Sequence, residues 1–77
     1  MNLDQLTEGA SARIVSIDDG APDLAAKLRE IGFCEGDDVQ LLTRGPLAGQ
    51  PLAIRLNRRI IAMRREEART IQVDQTP

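Results

Sequence analysis

Residues able to carry catalytic chemistry are few in this sequence of 77 residues. It contains no histidine, no tyrosine and a single cysteine, Cys34. A nucleophilic cysteine or serine needs a neighbouring base to take up its proton, and no such base is available. Acidic pairs such as Asp18-Asp19 and Glu66-Glu67 are typical of solvated turns rather than of general acid–base sites. We therefore expect a protein that is not an enzyme.

Metal and cofactor sites lack a sequence signature as well. Zinc and similar metals need clustered cysteine and histidine ligands, and a calcium loop needs alternating oxygen ligands around a glycine. The run Asp18-Asp19-Gly20 is only a fragment of such a loop, and a lone thiol such as Cys34, beside a helix end, is typical of inert packing. The glycines match neither the dinucleotide-binding nor the P-loop pattern. The sequence predicts no cofactor and no metal site within one chain.

Charge is divided unevenly along the chain, although the formal net charge is only −2. Residues 1–40 hold nine acidic and three basic residues, a net of −6, and residues 41–77 hold seven arginines and three acidic residues, a net of +4. If the fold places the acidic and the basic half of the chain on separate faces, the protein is suited to docking on a charged partner or to self-association. If acidic and basic strands lie side by side, their charges neutralise each other. Nucleic-acid binding is a weaker interpretation, because single-strand binders stack bases on aromatic residues and Phe33 is the one aromatic residue.

The central element predicted from the sequence is a helix that ends at a glycine. Leu24, Leu28 and Ile31 are spaced i, i+4 and i+7, which places them on one face of a helix. Gly32 is expected to end this helix in a left-handed conformation. Phe33 would then pack back onto Leu28, and the chain would turn into a strand.

Short apolar runs predict five β-strands, one before this helix and four after it. The runs are residues 10–17, 39–44, 52–56, 59–64 and 70–74. In the first run we expect burial on both faces, with Ile14 on one side and Val15 and Ile17 on the other. One helical turn is expected at Arg65–Ala68, and residues 75–77 are expected to fray.

Together these elements predict a mainly β fold, a small antiparallel β-barrel of about five strands with one α-helix after the first strand. Such a barrel would remove its own sheet edges. The length predicts one domain, residues 1–77, with a thin aliphatic core. No apolar run reaches the roughly 20 residues of a membrane span, no secretory signal is visible, and the single cysteine suits a reducing cytoplasm.

The segment Gly45–Pro51 contains two glycines and two prolines and is predicted to be an irregular loop. Leu47 stands in its middle. One interpretation leaves Leu47 exposed as a contact residue, and the other folds it back as a plug over the mouth of the barrel. Both interpretations stay open at the level of sequence.

Three blocks of this sequence resemble the ferrous iron transport protein A family, FeoA. They are Lys27–Gly36 (KLREIGFCEG), Gly45–Leu52 (GPLAGQPL) and Ile60–Ala68 (IIAMRREEA). Their order and spacing match the family over nearly the whole chain. The family's loop commonly has Gly-Asp or a similar pair where this chain has Gly49-Gln50, and no family role attaches to Cys34.

The resemblance implies an SH3-like β-barrel that works in the bacterial cytoplasm with FeoB, the membrane permease whose soluble part hydrolyses GTP. Related SH3-like domains also follow the DNA-binding helices of metal-dependent repressors. The sequence has no such helices before the first strand, so a detached regulatory domain of that kind is the alternative. A small nucleic-acid-binding barrel ranks below both.

We therefore expect a non-enzymatic, cytoplasmic accessory protein of bacterial ferrous iron uptake that binds FeoB or itself. We expect no nucleic-acid partner and no direct insertion into the membrane. The expected partner-binding residues are Arg44, Pro46, Leu47 and Pro51. An exposed leucine beside an arginine offers an apolar anchor with a charged rim, and the prolines reduce the entropy lost on ordering the loop.

Overall fold

The computed structural model describes residues 1–75 of the chain. Its elements, in chain order, are a 3₁₀ turn at Leu3–Gln5, strand β1 at Ser11–Ile17, helix α1 at Pro22–Ile31, strands β2 at Asp38–Gly45, β3 at Gly49–Leu56 and β4 at Arg59–Met63, the short helix α2 at Arg65–Ala68, and strand β5 at Ile71–Gln75. The predicted order of five strands, a helix after the first strand and a helical turn before the last is confirmed. Gln75, expected to fray, ends β5, and the other two residues of that prediction, 76 and 77, lie outside the described residues.

All five strands form one antiparallel sheet in the order β4-β3-β2-β1-β5. Within residues 1–75 the two outer strands do not pair with each other, so the sheet is open between β4 and β5. The mainly β, barrel-like architecture is confirmed, but the expectation that closure removes every sheet edge is wrong. The N-terminal segment, residues 1–10, covers the outer side of β5. There Asn2 forms a bridge with Gln72, and the Val73 N–H donates to the Met1 carbonyl at 2.8 Å.

The core is aliphatic except for Phe33 and Met63, and no polar or charged residue among residues 1–75 is buried. Helix α1 contributes Ala25 and Leu28 to it, while Leu24 and Ile31 pack half-buried against its edge. The predicted apolar stripe is therefore centred on Leu28. Because the core is thin, each large aliphatic side chain carries a substantial share of its apolar burial.

Gly32 ends α1 as predicted. Its φ is 128°, a left-handed value that side chains with a Cβ rarely adopt. The Gly32 N–H donates to the Arg29 carbonyl at 3.1 Å, and the Phe33 N–H donates to the Leu28 carbonyl at 3.1 Å. This pair of bonds is the Schellman motif, and it turns Phe33 into the core beneath the helix.

Strand β1 departs from the prediction of burial on both faces. Ile14 and Ile17 are both buried, whereas Val15 is 49% exposed. The register with β5 shifts between Ile14 and Ser16, and the extra residue there brings Ile17 onto the same face as Ile14. The expectation that Ile17 faces away from Ile14 is therefore wrong, because a bulge resets the alternation of the strand.

Strands β3 and β4 follow the prediction closely. Leu52, Ile54 and Leu56 are fully buried on one face of β3. The two-residue turn expected at Asn57-Arg58 joins the strands, with Leu56 paired to Arg59. This hairpin brings the end of β4 beside the start of β3, which is where the candidate site lies.

Candidate partner-binding site

The tip of the β2–β3 hairpin is shorter and more regular than predicted. Gly45 and Gly49 pair across the two strands, so only residues 46–48 lie outside them. The Leu47 N–H donates to the Gln50 carbonyl at 3.3 Å, and the Gln50 N–H donates to the Leu47 carbonyl at 3.1 Å. The expectation that all of Gly45–Pro51 is irregular is therefore wrong, because the glycines and Pro51 fit into the pairing strands.

Glycine is required at position 45 by the closeness of the opposite strand. A Cβ there would meet the Gln50 carbonyl oxygen, and it would lie 2.6 Å from the Gln50 carbonyl carbon and 2.8 Å from Pro51 Cδ. Real side chains do not tolerate such distances, and two of these atoms belong to backbone. The narrow neck at Gly45 therefore sets how the tip projects from the sheet.

Arg65 at the start of α2 braces the tip from one side. Its Nη2 donates to the Ala48 carbonyl at 2.8 Å, and its backbone N–H donates to the Gln50 Oε1 at 2.8 Å. These two bonds join the hairpin tip to a helix that comes 15 residues later in the sequence. A tip held at both its backbone and a side chain loses little conformational entropy when a partner binds.

Leu47 is the most exposed large hydrophobic residue described in the structure, with 77% of its surface accessible. It does not fold back over the core, so the plug interpretation is wrong. Beside it lies an open groove of about 390 Å³, lined by Leu47, Gln50, Pro51, Arg64 and Glu66. Pro46 and Pro51 are exposed as well. Two of the four predicted partner-binding residues, Leu47 and Pro51, therefore line one groove, and Pro46 is exposed at the same hairpin tip.

Arg44 is the predicted residue that the structure places elsewhere. Its side chain is only 24% exposed. The Arg44 Nη1 donates to Asp4 Oδ1 at 2.9 Å, and its Nη2 donates to the Leu6 carbonyl at 3.1 Å and to the Asp4 carbonyl. The expectation that Arg44 is an exposed basic residue is wrong, because the N-terminal segment covers it and uses its donors.

Arg64 and Glu66 line the groove but were not among the predicted residues. The sequence carries a signal for one of them: the β3–β4 hairpin pairs Leu52 with Met63, so the next residue, Arg64, lies beside Pro51. The turn at Asn57-Arg58 could have supplied this register. Glu66 is placed by the first turn of α2, for which strand alternation gives no information.

Asp4 gathers three arginines beneath the hairpin tip. It pairs with Arg44, with Arg65 through Nε at 3.4 Å, and with Arg69 through Nε at 3.4 Å. Burial opposes ionisation of this carboxyl, but the hydrogen bond and charge of Arg44, together with Arg65 and Arg69, outweigh it and hold the pKa of Asp4 below its ordinary value. At this position the acidic and basic halves of the chain neutralise each other.

A second carboxylate supports the same strand end. Glu8 Oε2 accepts the Arg44 backbone N–H at 2.9 Å and the Thr43 hydroxyl at 2.9 Å. These hydrogen bonds lower the pKa of Glu8. The N-terminal segment thus binds the end of β2 through both its backbone and its acidic side chains, which fixes the base from which the tip projects.

Cys34 is exposed, so the expectation that it serves as packing is wrong. It lies beside the exposed ion pair of Arg29 with Glu35, whose atoms are 2.8 Å apart. The hydrogen bond from Arg29 lowers the pKa of Glu35 to about 2.

Within residues 1–75, no group of three or more histidine, cysteine or carboxylate side chains is arranged to hold a metal ion. Nor does any helix in this part of the chain have the length and apolar character to cross a bilayer.

Fold and site together define a small SH3-like β protein that presents a braced, apolar hairpin tip. The family model of the FeoA domain matches residues 1–75, and the chain belongs to the FeoA family. No curated protein sequence matches it.

Solved structures agree with this assignment. FeoA from Stenotrophomonas maltophilia is 34% identical, with a TM-score of 0.85 over 96% of this chain and 89% of that one. It was solved in complex with zinc and is described as a prokaryotic SH3 domain protein and a candidate activating factor of ferrous iron transport. FeoA from Chlorobium tepidum is 30% identical, with a TM-score of 0.87 over 100% of this chain and 71% of that one.

A manganese-dependent transcriptional repressor shares the fold as well. Its TM-score is 0.88, but the identity is 17%, and the match covers 99% of this chain and 41% of the repressor. At that identity the likeness shows the fold alone. Membership in the FeoA family, which is associated with ferrous iron transport, rests on the family match and on the more similar structures.

Proposed function

We propose that this protein is a non-enzymatic accessory factor of bacterial ferrous iron uptake that acts in the cytoplasm by binding FeoB through the tip of its β2–β3 hairpin. The observation that carries the proposal is Leu47, a large aliphatic side chain that is 77% exposed on a braced tip. Family membership supports the link to ferrous iron transport.

Energetics favour the tip as a contact. Burying a leucine side chain contributes about 1.5–3 kcal/mol. Fixing a flexible side chain or loop residue at an interface costs about 0.5–1.5 kcal/mol, and the bonds from Arg65 to Ala48 and Gln50 have already met part of that cost. Arg64 and Glu66 supply a charged rim around the apolar centre, which is the usual anatomy of a small interface.

Chemical composition supports a role without catalysis. The sequence has no histidine and no tyrosine, and its one cysteine lies at the far end of α1, outside the groove. The groove itself offers one amide, one guanidinium and one carboxylate, without a thiol, a hydroxyl or an imidazole. These groups are suited to recognition, and a reducing cytoplasm is compatible with the exposed thiol of Cys34.

Two variants test the proposal. Leu47→Asp should reduce capture of the protein by the soluble part of FeoB at least tenfold, because it replaces the apolar anchor by a charge. Its melting temperature should stay within about 4 °C of the wild type, since surface changes are usually within ±0.5 kcal/mol. Val15→Asp is the matched control, because Val15 is a second exposed aliphatic residue and lies on β1, and this variant should keep full binding.

Undiminished capture of a stably folded Leu47→Asp protein would overturn the hairpin tip as the binding surface. Loss of capture in both variants would show that added negative charge, and not the loss of Leu47, weakens the complex. No capture of the wild type by FeoB would overturn the proposed partner itself.

A further inference from the structure

Strand β4 is the one strand that leaves a whole edge unpaired within residues 1–75. It pairs with β3 only, whereas the outer side of β5 is covered by the N-terminal segment. In the described residues, no backbone hydrogen bond from a turn or a loop reaches β4. An edge of this kind is a template for an additional strand.

The hairpin register identifies the groups on that edge. In a hairpin with a two-residue loop, the residues flanking the loop form a hydrogen-bonded pair, here Leu56 with Arg59. Because the ladder alternates, the N–H and C=O groups of Ile60 and Ala62 point away from β3. Ile60 is 63% exposed, and Ala62 is exposed on the same face. The free edge therefore combines unpaired backbone groups with an apolar side chain.

Positive charge surrounds this edge. Arg55 on β3 is the direct partner of Ile60, Arg58 lies in the turn, and Arg64 follows the end of β4. Among residues 1–75 none of these three arginines forms an ion pair, in contrast to the arginines that surround Asp4. Their charges are available to an incoming chain.

We propose that the free edge of β4 binds an extended, acidic segment of a partner protein as a sixth strand. Its backbone would pair with Ile60 and Ala62, an aliphatic residue would cover Ile60, and its carboxylates would meet Arg55, Arg58 and Arg64. A second copy of this chain is disfavoured as the occupant, because pairing β4 with β4 would bring arginines against arginines. Arg64 also lines the groove beside Leu47, so the two sites are neighbours, but strand addition to β4 does not require contact with Leu47 or binding to FeoB.

Peptide binding to the full chain tests this inference. The probe is a short, end-blocked peptide in which every second residue is, in order, glutamate, valine and glutamate, with threonine between them, so that one face of the extended chain carries both the carboxylates and the aliphatic side chain. The matched probe has lysine in place of glutamate. The acidic peptide should shift the amide resonances of Arg59–Met63 and bind at least tenfold more tightly than the basic one. Its affinity should fall as salt rises, since exposed charges are screened.

Strand pairing is tested by changing the ligand and leaving the protein intact. Methylating alternate backbone nitrogens of the acidic peptide, on the side that faces β4, removes its donors, and this should abolish binding. Methylation on the other side should have little effect. Equal binding of both methylated peptides would overturn the strand-addition geometry.

Protein variants separate charge from fold. The double variant Arg55→Gln, Arg58→Gln removes two charges and should lower the affinity for the acidic peptide at least fivefold. Arg13→Gln on β1, a strand that is paired on both sides, should leave this affinity unchanged. Leu47→Ala, which adds no charge, should also leave it unchanged, and this distinguishes the edge of β4 from the hairpin tip. Failure of the acidic peptide to bind at millimolar concentration, or concentration-dependent dimerisation through β4, would overturn the inference.

Discussion

Gly32 has a positive φ of 128°, so its replacement tests the corner between α1 and β2. Gly32→Ala should lower the free energy of unfolding by about 1–2 kcal/mol, because a Cβ in this conformation clashes with the backbone. The new Cβ would also meet the Arg59 guanidinium, which donates to the Ile31 carbonyl and would have to move. Chemical denaturation measures the change.

Gly20→Ala is the matched control for the corner. Gly20 does not have a positive φ, and a Cβ there would meet no atom within 4 Å. Its free energy of unfolding should stay within about 0.5 kcal/mol of the wild type. Equal stability of the Gly32→Ala variant and this control would contradict the left-handed helix stop.

Asp4 carries a charge that pairs with three arginines. Asp4→Asn should lower the free energy of unfolding at pH 7 by about 2 kcal/mol, since hydrogen bonds to charged groups contribute about 1.5–3 kcal/mol each when formed and the side chain is only 14% exposed. The folded pKa of Asp4 lies below its unfolded value of 3.8. The stabilisation is therefore present above pH 3.8 and is lost as the pH falls through the folded pKa.

The measurement is denaturation of the wild type and Asp4→Asn at several pH values. The two proteins should differ at neutral pH and converge in acid, below the folded pKa of Asp4. Asp19→Asn, an exposed acid in a turn, should track the wild type throughout. A constant difference between Asp4→Asn and the wild type down to pH 2 would show that shape, not charge, explains the loss.

For single residues, the sequence predicted the conformation and contacts that depend on neighbours in the chain. It did not predict contacts with residues far away in the sequence. Gly32 and Phe33 were predictable because the Schellman motif is closed within six residues. Arg44 was not, because its partner Asp4 lies 40 residues away and the N-terminal segment that brings them together has no strand or helix pattern.

Leu28 shows how much helix α1 depends on its buried face. Leu28→Ala should lower the free energy of unfolding by about 2–5 kcal/mol, because it leaves a cavity in a core with few large side chains. Leu47→Ala removes the same atoms from an exposed position and should change stability by less than about 0.5 kcal/mol. Similar losses for the two variants, measured by urea denaturation, would contradict the assignment of the core.

Elements were predictable where periodicity was unbroken. Leu52, Ile54 and Leu56 alternate without interruption, and all three are buried. Strand β1 was misread at Ile17, since a bulge between Ile14 and Ser16 changes which face a residue occupies and leaves no mark in composition. The hairpin tip was misread for another reason: pairing with β2 and the brace from α2 override the usual preference of glycine and proline for irregular loops.

Charge on the scale of the whole molecule is partly neutralised and partly left available. Asp4 meets three arginines, and Lys27 meets Glu67, so acidic and basic halves of the chain are joined at two places. The arginines along the β3–β4 hairpin form no ion pair within residues 1–75. Sequence alone left both outcomes open, because the choice depends on which segments the sheet places side by side.

Metal binding is a second property of the whole chain. Because the sequence has no histidine and one cysteine, the isolated monomer should bind neither ferrous nor zinc ions at micromolar concentration with one ion per chain. Anaerobic calorimetric titration at neutral pH measures this, with Cys34→Ser as the control for weak binding through the thiol. A tight site within one monomer would contradict a role limited to protein contacts.

The central claim, that the hairpin tip is the surface that binds FeoB, is tested most directly by amide hydrogen exchange of the full chain with and without the soluble part of FeoB. Amide exchange should become slower at residues 47–50 and at the start of α2, which braces them. Exchange at α1 should be unchanged. Protection confined to α1 or to β1, with the hairpin tip exchanging as fast in the mixture as in the free protein, would contradict it.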